Sequence, residues 1–242
     1  MIKFNTENIK NKKRFDPDQD CEELGRAHCD LWSKKRTLGT LFWNPGNKLE
    51  TEIKGIRYVF KPDSITNSFR KSNRLIPGKG ITPSVLINSF GDETKDLLDK
   101  YIEVDYSIGS SIIFPIQIGD KKIKRTMNQA RGCNHLIQDR FDYTLECIKR
   151  YYEKNNENPL KKDIIESEDF FNLFADFKEY VSFFFLDDLI DENGNVKSFT
   201  DKIDFNSSPL PLEKEKYNRY IFNSTEFIKA RNTRIDKFID NQ

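Results

Sequence analysis

The sequence predicts an α+β fold in which a small, mostly antiparallel sheet in the N-terminal half packs against helices from the C-terminal half. Short runs with strand-like alternation, separated by turn residues, occupy the first half of the chain. Longer runs with apolar residues at helical spacing occupy the second half. Strands that precede helices in this way favour segregated layers over alternating β–α–β units. We expect the whole chain, 1–242, to form a single globular domain.

The first predicted elements follow from local composition and alternation. Residues 1–23 are polar and charged, and we interpret them as an extended lead-in. Leu24–Lys35 predicts a short helix. Gly39–Trp43 and Ile53–Lys61 predict strands, the second because its apolar residues alternate with polar ones.

The next stretch is dominated by turn and loop formers. Asp63 and Ser64 are residues that can cap a short helix through Phe69. Residues 70–84 contain two glycines, two prolines and four basic residues, and they predict a loop. Asp92–Tyr101 predicts a helix.

The last strand signal lies just before the chain becomes helical. Val104–Ile118 predicts a bent strand or a strand pair, because Gly109 weakens its middle and Pro115 favours an edge or a bulge. Residues 119–120 (Gly-Asp) predict a tight turn into another short strand.

Three helices are predicted in the second half. Met127–Tyr152 and Ser167–Ile190 each carry apolar residues at helical spacing. A last helix is expected to begin near Asn223, with Glu226 three residues later as a capping box.

Composition limits the classes of protein that this chain can represent. Its 40 Lys and Arg residues nearly balance 39 Asp and Glu residues, so attraction to nucleic acid would require a local basic patch. Four cysteines without CxxC spacing and only two histidines argue against a structural zinc site, and an N-terminus that does not resemble a signal peptide argues against disulfides. No apolar run is long enough to span a membrane, and the first residues do not form a signal peptide. We therefore expect a cytoplasmic protein with no membrane partner.

The segment 125–152 is the most informative part of the chain. Read as one helix, it carries an apolar stripe that we expect to be buried. A polar stripe of catalytic residue types lies about 100° round the same helix. The apolar stripe consists of Ile137, Phe141, Leu145, Ile148 and Tyr152, and the polar stripe of Arg131, His135, Asp142 and Glu146.

The polar stripe predicts a catalytic site. His135 would be the general acid or base, because imidazole titrates near neutral pH, and Asp142 or Glu146 would be its orienting partner. Arg131 and Arg140 would bind phosphate. The alternative is an intrahelical ladder of ion pairs, each worth only about 0.2–0.5 kcal/mol.

A short basic stretch precedes this segment and predicts a phosphate-binding rim. Lys124 and Arg125 are its assigned phosphate-binding residues, with Lys121 and Lys122 beside them. The alternative is a solvated turn. No metal site and no cofactor are assigned, although Asp139, Asp142 and Glu146 would be the oxygen ligands available to a divalent ion.

Several sequence blocks resemble a known family. They include LWSK (31–34), IIFP (112–115), NQARG (128–132) and DRFDYTLECIKRYY (139–152). These blocks are similar to those of a family of uncharacterised bacterial proteins that is filed as a domain of unknown function. The resemblance extends over residues 15–240 in the same order. It implies one intact bacterial domain, and it implies no activity and no catalytic residue.

Two hypotheses about function follow. The first is a bacterial enzyme that acts on a phosphate-bearing substrate, RNA or a nucleotide, with a toxin or phage-defence component as one form of it. The second is a non-catalytic protein-binding module, such as an inhibitor or a partner in a defence or toxin–antitoxin pair. A concave pocket that holds His135 beside the named charges would favour the enzyme, and an exposed aromatic patch would favour the binding module.

Overall fold

A five-stranded antiparallel sheet occupies the N-terminal half of the described chain. In this computed structural model the described residues are 21–44, 48–65, 80, 82–118, 121–122 and 126–241. The strands lie side by side in chain order, each antiparallel to the next. They are β1 (Phe42–Asn44), β2 (Lys48–Ile53), β3 (Ile56–Ser64), β4 (Ser111–Ile118) and β5 (Lys121–Lys122).

Helices, mostly from the C-terminal half, complete the fold and confirm the predicted α+β class. Two short 3₁₀ turns, Ile108–Ser110 and Asp187–Leu189, supplement them in the described residues. The α-helices are α1 (Glu22–Lys34), α2 (Pro83–Phe90), α3 (Asp92–Ile102), α4 (Met127–Cys133), α5 (Phe141–Tyr152), α6 (Lys161–Ile165), α7 (Glu168–Phe171), α8 (Phe177–Phe183) and α9 (Lys214–Asp240).

A tight hairpin divides the strand predicted over Ile53–Lys61. Lys54 and Gly55 have φ angles of 52° and 77°, and Ile53 pairs with Ile56 across the turn. Two central residues with positive φ match the type I′ turn that suits the twist of a hairpin. Ile53 therefore ends β2, which has no counterpart among the predicted strands, and β3 begins three residues later.

The strand predicted over Val104–Ile118 begins only at Ser111. The three residues before it form the 3₁₀ turn Ile108–Ser110, in which the N–H of Gly109 donates to Asn232 Oδ1 of α9 at 2.9 Å. A Cβ atom on Gly109 would lie 2.6 Å from the Asn232 side chain, so this close approach requires glycine. Further along, the β3–β4 register shifts where Phe60 pairs with Pro115, in agreement with the predicted bulge.

The single helix predicted over Met127–Tyr152 is wrong. α4 ends at Cys133 and α5 begins at Phe141. The side chain of Asn134 accepts the N–H of Leu136 at 2.9 Å, which closes a local turn in competition with the helix. Farther on, residues 138–139 both have positive φ, a conformation that ends helical geometry.

The predicted burial of the apolar stripe is nevertheless confirmed at four positions. Ile137, Phe141, Leu145 and Ile148 are fully buried, although Ile137 lies in the turn and not in either helix. Tyr152 is half-buried. The turn thus keeps the apolar side chains directed at the core while it changes the direction of the polar ones.

Two further helix predictions need correction. The region Ser167–Ile190 contains α7, α8 and a 3₁₀ turn and is not one helix, because Asp176 caps α8 anew by accepting the N–H of Glu179 at 2.8 Å. The last helix begins at Lys214 and not near Asn223, which lies inside it and donates to Phe199 O.

Other predictions concern residues outside the described parts. The lead-in up to residue 20, the body of the short helix as far as Phe69, residues 70–79 and the turn at 119–120 lie there, whereas Asp63 and Ser64 belong to β3. Glu22 and Glu23 of the predicted lead-in already belong to α1, and Pro83 and Ser84 of the predicted loop belong to α2. Among the described helices, none has both the length and the apolar character needed to cross a bilayer.

The hydrophobic core joins the sheet to the helices and is rich in aromatic rings. Trp32 of α1 is fully buried and stacks on Phe183 at a centroid distance of 5.4 Å. Phe184 contacts both Trp32 and Tyr180, so the end of α8 packs against α1. This packing places the end of α8 beside the end of α1, where the groove described below is formed.

Candidate functional site

Arg131, predicted to bind phosphate, is fully buried in the described interior and holds elements together. Its guanidinium forms an ion pair with Asp63 of β3 and donates from Nε to Thr144 Oγ1 of α5 at 2.9 Å. A second carboxylate, Asp139, lies 3.6 Å from Nη2. Burial alone would lower the pKa of Arg131, but these two carboxylates raise it.

Arg140 and Asp142 form a second buried ion pair. The Arg140 guanidinium, which is 1% exposed, binds both carboxylate oxygens of Asp142 and donates to Pro209 O at 2.8 Å. Asp142 also accepts the N–H of Phe199 at 2.8 Å. The pair therefore fastens the irregular segment around residues 198–209 to the start of α5, and its donors and acceptors are occupied.

A small polar cavity of about 140 Å³ adjoins Arg140. Its wall includes the hydroxyl side chains of Tyr143 and Thr200 and charges of both signs, among them Lys202 and Asp204. Asp204 accepts the N–H of Asn206 and the hydroxyl of Ser207, which lowers its pKa. Because opposite charges balance around this cavity and bond to one another, it offers little unfilled binding capacity.

The predicted catalytic residues are not brought together. His135 is exposed in the turn between α4 and α5, and within the described residues no hydrogen bond or ion pair links it to Asp142 or Glu146. Glu146 instead accepts from Arg150 Nε one helical turn away at 2.8 Å. This contact is of the kind that the ladder interpretation predicts. The catalytic roles of His135, Asp142 and Glu146 remain predictions.

The predicted phosphate rim falls largely outside the described residues. Lys124 and Arg125 lie there, and for Lys121 and Lys122 only the backbone of β5 is described. Their role in binding phosphate also remains a prediction.

A buried histidine–serine contact has the wrong protonation for catalysis. Trp32 Nε1 donates to His28 Nδ1 at 2.9 Å, and His28 Nε2 lies 3.2 Å from Ser111 Oγ. Indole is only a donor, so Nδ1 accepts and the single ring proton of neutral His28 is on Nε2, where it is donated to Ser111. Burial, with a contribution from Arg231, lowers the pKa of His28 to about 3. His28 therefore cannot take a proton from Ser111.

An open groove of about 620 Å³ lies between the ends of α1, α8 and α9. We call it the Lys35 groove, after the side chain that contacts all three elements. A volume of this size falls within the range of about 300–1,000 Å³ that is common for small-molecule sites. The residues that matter for its chemistry are Lys34, Lys35, Arg36, Lys178, Phe183 and Phe238.

The exposed cations of the Lys35 groove have no carboxylate partner among the described residues. Lys34, Arg36 and Lys178 are exposed and take part in no described ion pair. The two acidic side chains of the wall are bound to backbone instead: Asp176 accepts the N–H of Glu179, and Glu179 accepts the N–H of Ala175 at 2.6 Å. Four basic side chains against two carboxylates leave the groove wall with an excess of positive charge that can attract an anion.

Lys35 lies deeper in the groove and is bound on several sides. Its Nζ donates to the carbonyls of Ser182 and Phe183 at 2.9 and 2.6 Å, and it lies 3.6 Å from the ring centroid of Phe185. Burial lowers the pKa of Lys35 from 10.5 to about 8; Asp187 opposes this shift and the nearby Arg231 adds to it.

One residue with left-handed backbone lies in the groove wall and another contacts Lys35 from outside the wall. Arg36 and Phe185 have φ angles of 65° and 55°. Phe185 follows α8 in a Schellman motif, since Leu186 N donates to Val181 O at 2.9 Å and Phe185 N to Ser182 O at 3.3 Å. Glycine is usual at this position, and a side chain there costs about 1–2 kcal/mol. Such strain often marks a functional site.

The groove and the ion pairs have different sequence signals. Arg140 and Asp142 were accessible to sequence reasoning because they lie close together in the chain. Lys35 and Ser182 are 147 residues apart, and no motif connects them. Among the described residues, no cluster of three or more His, Cys, Asp or Glu side chains could hold a metal ion.

The chain belongs to DUF6994, a family of unknown function, whose model matches residues 2–235. This match confirms the resemblance to a domain of unknown function. A comparison with curated proteins found no match, and a comparison with solved structures also found none.

Proposed function

We propose that the protein binds a phosphate-bearing ligand, RNA or a nucleotide, in the Lys35 groove. The observation that carries this proposal is the set of three exposed cations, Lys34, Arg36 and Lys178, around one concavity whose described carboxylates are bound to backbone N–H groups. Phosphate oxygens would accept from these side chains, and the fork of Arg36 can bind two oxygens at once.

The shape of the groove supports a ligand with an apolar or aromatic part. Phe238, which is half-buried, and Phe183 contribute apolar surface to the wall beside the cations. A base or sugar can pack on such a surface while its phosphate contacts the rim. A toxin or phage-defence role would be one biological use of this binding, and turnover of the ligand would be a further step.

The test is a binding titration at two salt concentrations. Labelled single-stranded RNA is the direct probe, and a nucleoside triphosphate is the competitor. We expect the K34A/R36A/K178A variant to lose about tenfold or more in affinity at low salt. Each phosphate contact to a single strand contributes roughly 0.7 to the slope of log affinity against log salt, so the slope should fall by roughly 2.

The matched control is K48A/K100A/K162A, which removes the same charge from exposed lysines elsewhere. We expect it to retain nearly wild-type affinity and slope, because bulk charge is close to zero and only the local patch attracts the ligand. Equal losses in the two variants would refute the groove as the site. Binding of an acidic peptide of matched charge, without binding of RNA or nucleotide, would favour the protein-binding alternative.

A further inference from the structure

Lys35 joins the three elements that form the groove. It belongs to the end of α1, it donates to the last carbonyls of α8 through Ser182 and Phe183, and its Nζ lies 5.4 Å from the ring centroid of Phe238 in α9. Cations stabilise the negative end of a helix dipole, and they are attracted to the faces of aromatic rings. Both attractions depend on the charge of the ammonium group.

Phe185, just after the end of α8, contributes an aromatic ring to the same arrangement. The residue adopts left-handed backbone geometry, which a glycine would adopt without strain. Its ring is the one closest to Lys35 Nζ, at 3.6 Å, and it also contacts Phe238 at a centroid distance of 5.5 Å. The strained position thus supplies the ring against which the ammonium rests.

We propose that Lys35 holds the three helices of the Lys35 groove together only while its ammonium group is protonated, and that ligand binding in the groove weakens when this group loses its proton. The part of the proposal that concerns ligands rests on the function proposed above. The part that concerns the groove itself depends only on the contacts of Lys35.

Burial and the charges around Lys35 place its titration in an accessible range. Burial lowers the pKa, Asp187 in the turn after α8 raises it, and Arg231 of α9 lowers it, with a result of about 8. The other charged groups of the groove wall are Lys34 and Arg36 on α1 and Asp176, Lys178 and Glu179 beside or within α8. Above pH 8 the amine becomes neutral in the folded protein, so both charge-dependent attractions are lost there.

An anion in the groove acts on the same equilibrium in the opposite direction. Its negative charge favours the ammonium form and raises the pKa of Lys35, so binding near pH 8 takes up a proton. Linkage requires the converse effect, in which protonation raises affinity. With one linked proton, affinity falls by at most about tenfold for each pH unit above the pKa of free Lys35.

Trp32 provides a test that needs no ligand. Its ring lies 6.1 Å from Phe185 and 5.4 Å from Phe183, so its fluorescence reports on the end of α8. The background is W43F/C133S, which removes the second tryptophan and an exposed thiol. We expect a fluorescence transition with a midpoint of about 8 that is absent from K35M and from K35R, in which the arginine keeps its proton.

The ligand arm uses labelled RNA and a nucleoside triphosphate between about pH 7 and about pH 9.5, where lysine groups with lowered pKa titrate. Wild-type affinity should fall with pH, and affinity of K35R should remain level. Absence of a Trp32 transition specific to Lys35 refutes the proposal that protonated Lys35 holds the groove together, whether or not a ligand binds. A transition with level wild-type affinity overturns the coupling to binding. If no probe binds while the Trp32 transition is present, the function proposed above is refuted, and the proton-dependent role of Lys35 in the groove is retained.

Discussion

Arg131 and Arg140 lie in the interior, where each guanidinium is bonded to a carboxylate and to oxygen acceptors of neighbouring elements. Arg36, with Lys34 and Lys178, lies at the rim of an open groove and has no described carboxylate partner. The same class of side chain is thus structural in one region and available to a ligand in the other. The difference is whether the hydrogen-bonding capacity of the cation is already used.

Arg231 is a third buried arginine whose guanidinium bonds hold elements of the interior together. It is fully buried, and its Nη1 and Nε donate to backbone carbonyls that include Gly109 O at 2.9 Å and Phe184 O at 3.0 Å. These bonds tie α9 both to the start of β4 and to the end of α8. A buried arginine in this fold therefore joins segments that are distant in sequence, and burial argues against a role in binding substrate.

The largest expected effect concerns the buried pair. Arg140→Ala should destabilise the protein by about 3–5 kcal/mol, because it leaves the carboxylate of Asp142 buried without its ion-pair partner. Arg36→Ala, which removes a rim cation, should change stability by less than about 1 kcal/mol. Chemical denaturation measures both values. A small effect of Arg140→Ala would mean that the pair is solvated and that the contrast between the two regions is invalid.

Whether a feature of this fold could be predicted from the sequence depends on the kind of interaction that determines it. The apolar stripe through Ile137, Phe141 and Ile148 was predictable because burial repeats with local spacing. The break between α4 and α5 was not, since one side-chain bond from Asn134 and two left-handed residues outweigh helical propensity there. His135 consequently left the face on which the helical spacing placed it.

The groove escaped prediction for a related reason. Lys35 reads as an ordinary lysine at the end of a helix, where it can interact with that helix's own carbonyls. In the fold it binds the carbonyls of a different helix, through Ser182 and Phe183. Contacts at such a sequence separation are set by the packing of Trp32 and its neighbours against α8, which no local pattern specifies.

The next effect is the pH dependence of stability, which tests the interior again. The pKa of His28 is about 3 in the folded protein and 6.5 when exposed, so the unfolded chain binds the proton more readily. The contribution of neutral His28 is complete above pH 6.5 and is lost as pH falls toward 3. From pH 6.5 to about pH 4, His28 alone should reduce the free energy of unfolding by about 3 kcal/mol.

The control for this prediction is His28→Gln, whose amide can donate to Ser111 but does not titrate in this range. Denaturation of both proteins at several pH values separates the His28 contribution from the protonation of carboxylates, which occurs in both. Parallel stability curves for the two proteins would show that His28 is protonated without loss of packing, and the proposed Nε2–H tautomer would then not be required.

The smallest expected effect concerns His135, the residue that distinguishes a catalytic site at the turn between α4 and α5 from a binding site in the Lys35 groove. His135→Ala should change the free energy of unfolding by no more than about 0.5 kcal/mol, because the side chain is exposed and has no described hydrogen-bond partner. RNA or nucleotide affinity in the Lys35 groove should also be unchanged.

If the protein turns over either probe, the loss of a general acid or base would lower the rate by about 10²–10⁴-fold, whereas replacement of an uninvolved surface histidine would leave the rate unchanged. We expect the unchanged rate, measured in single-turnover assays beside the K34A/R36A/K178A variant. A large loss of rate with unaltered stability would restore His135 as the catalytic residue and would place the reaction near the turn between α4 and α5, away from the groove.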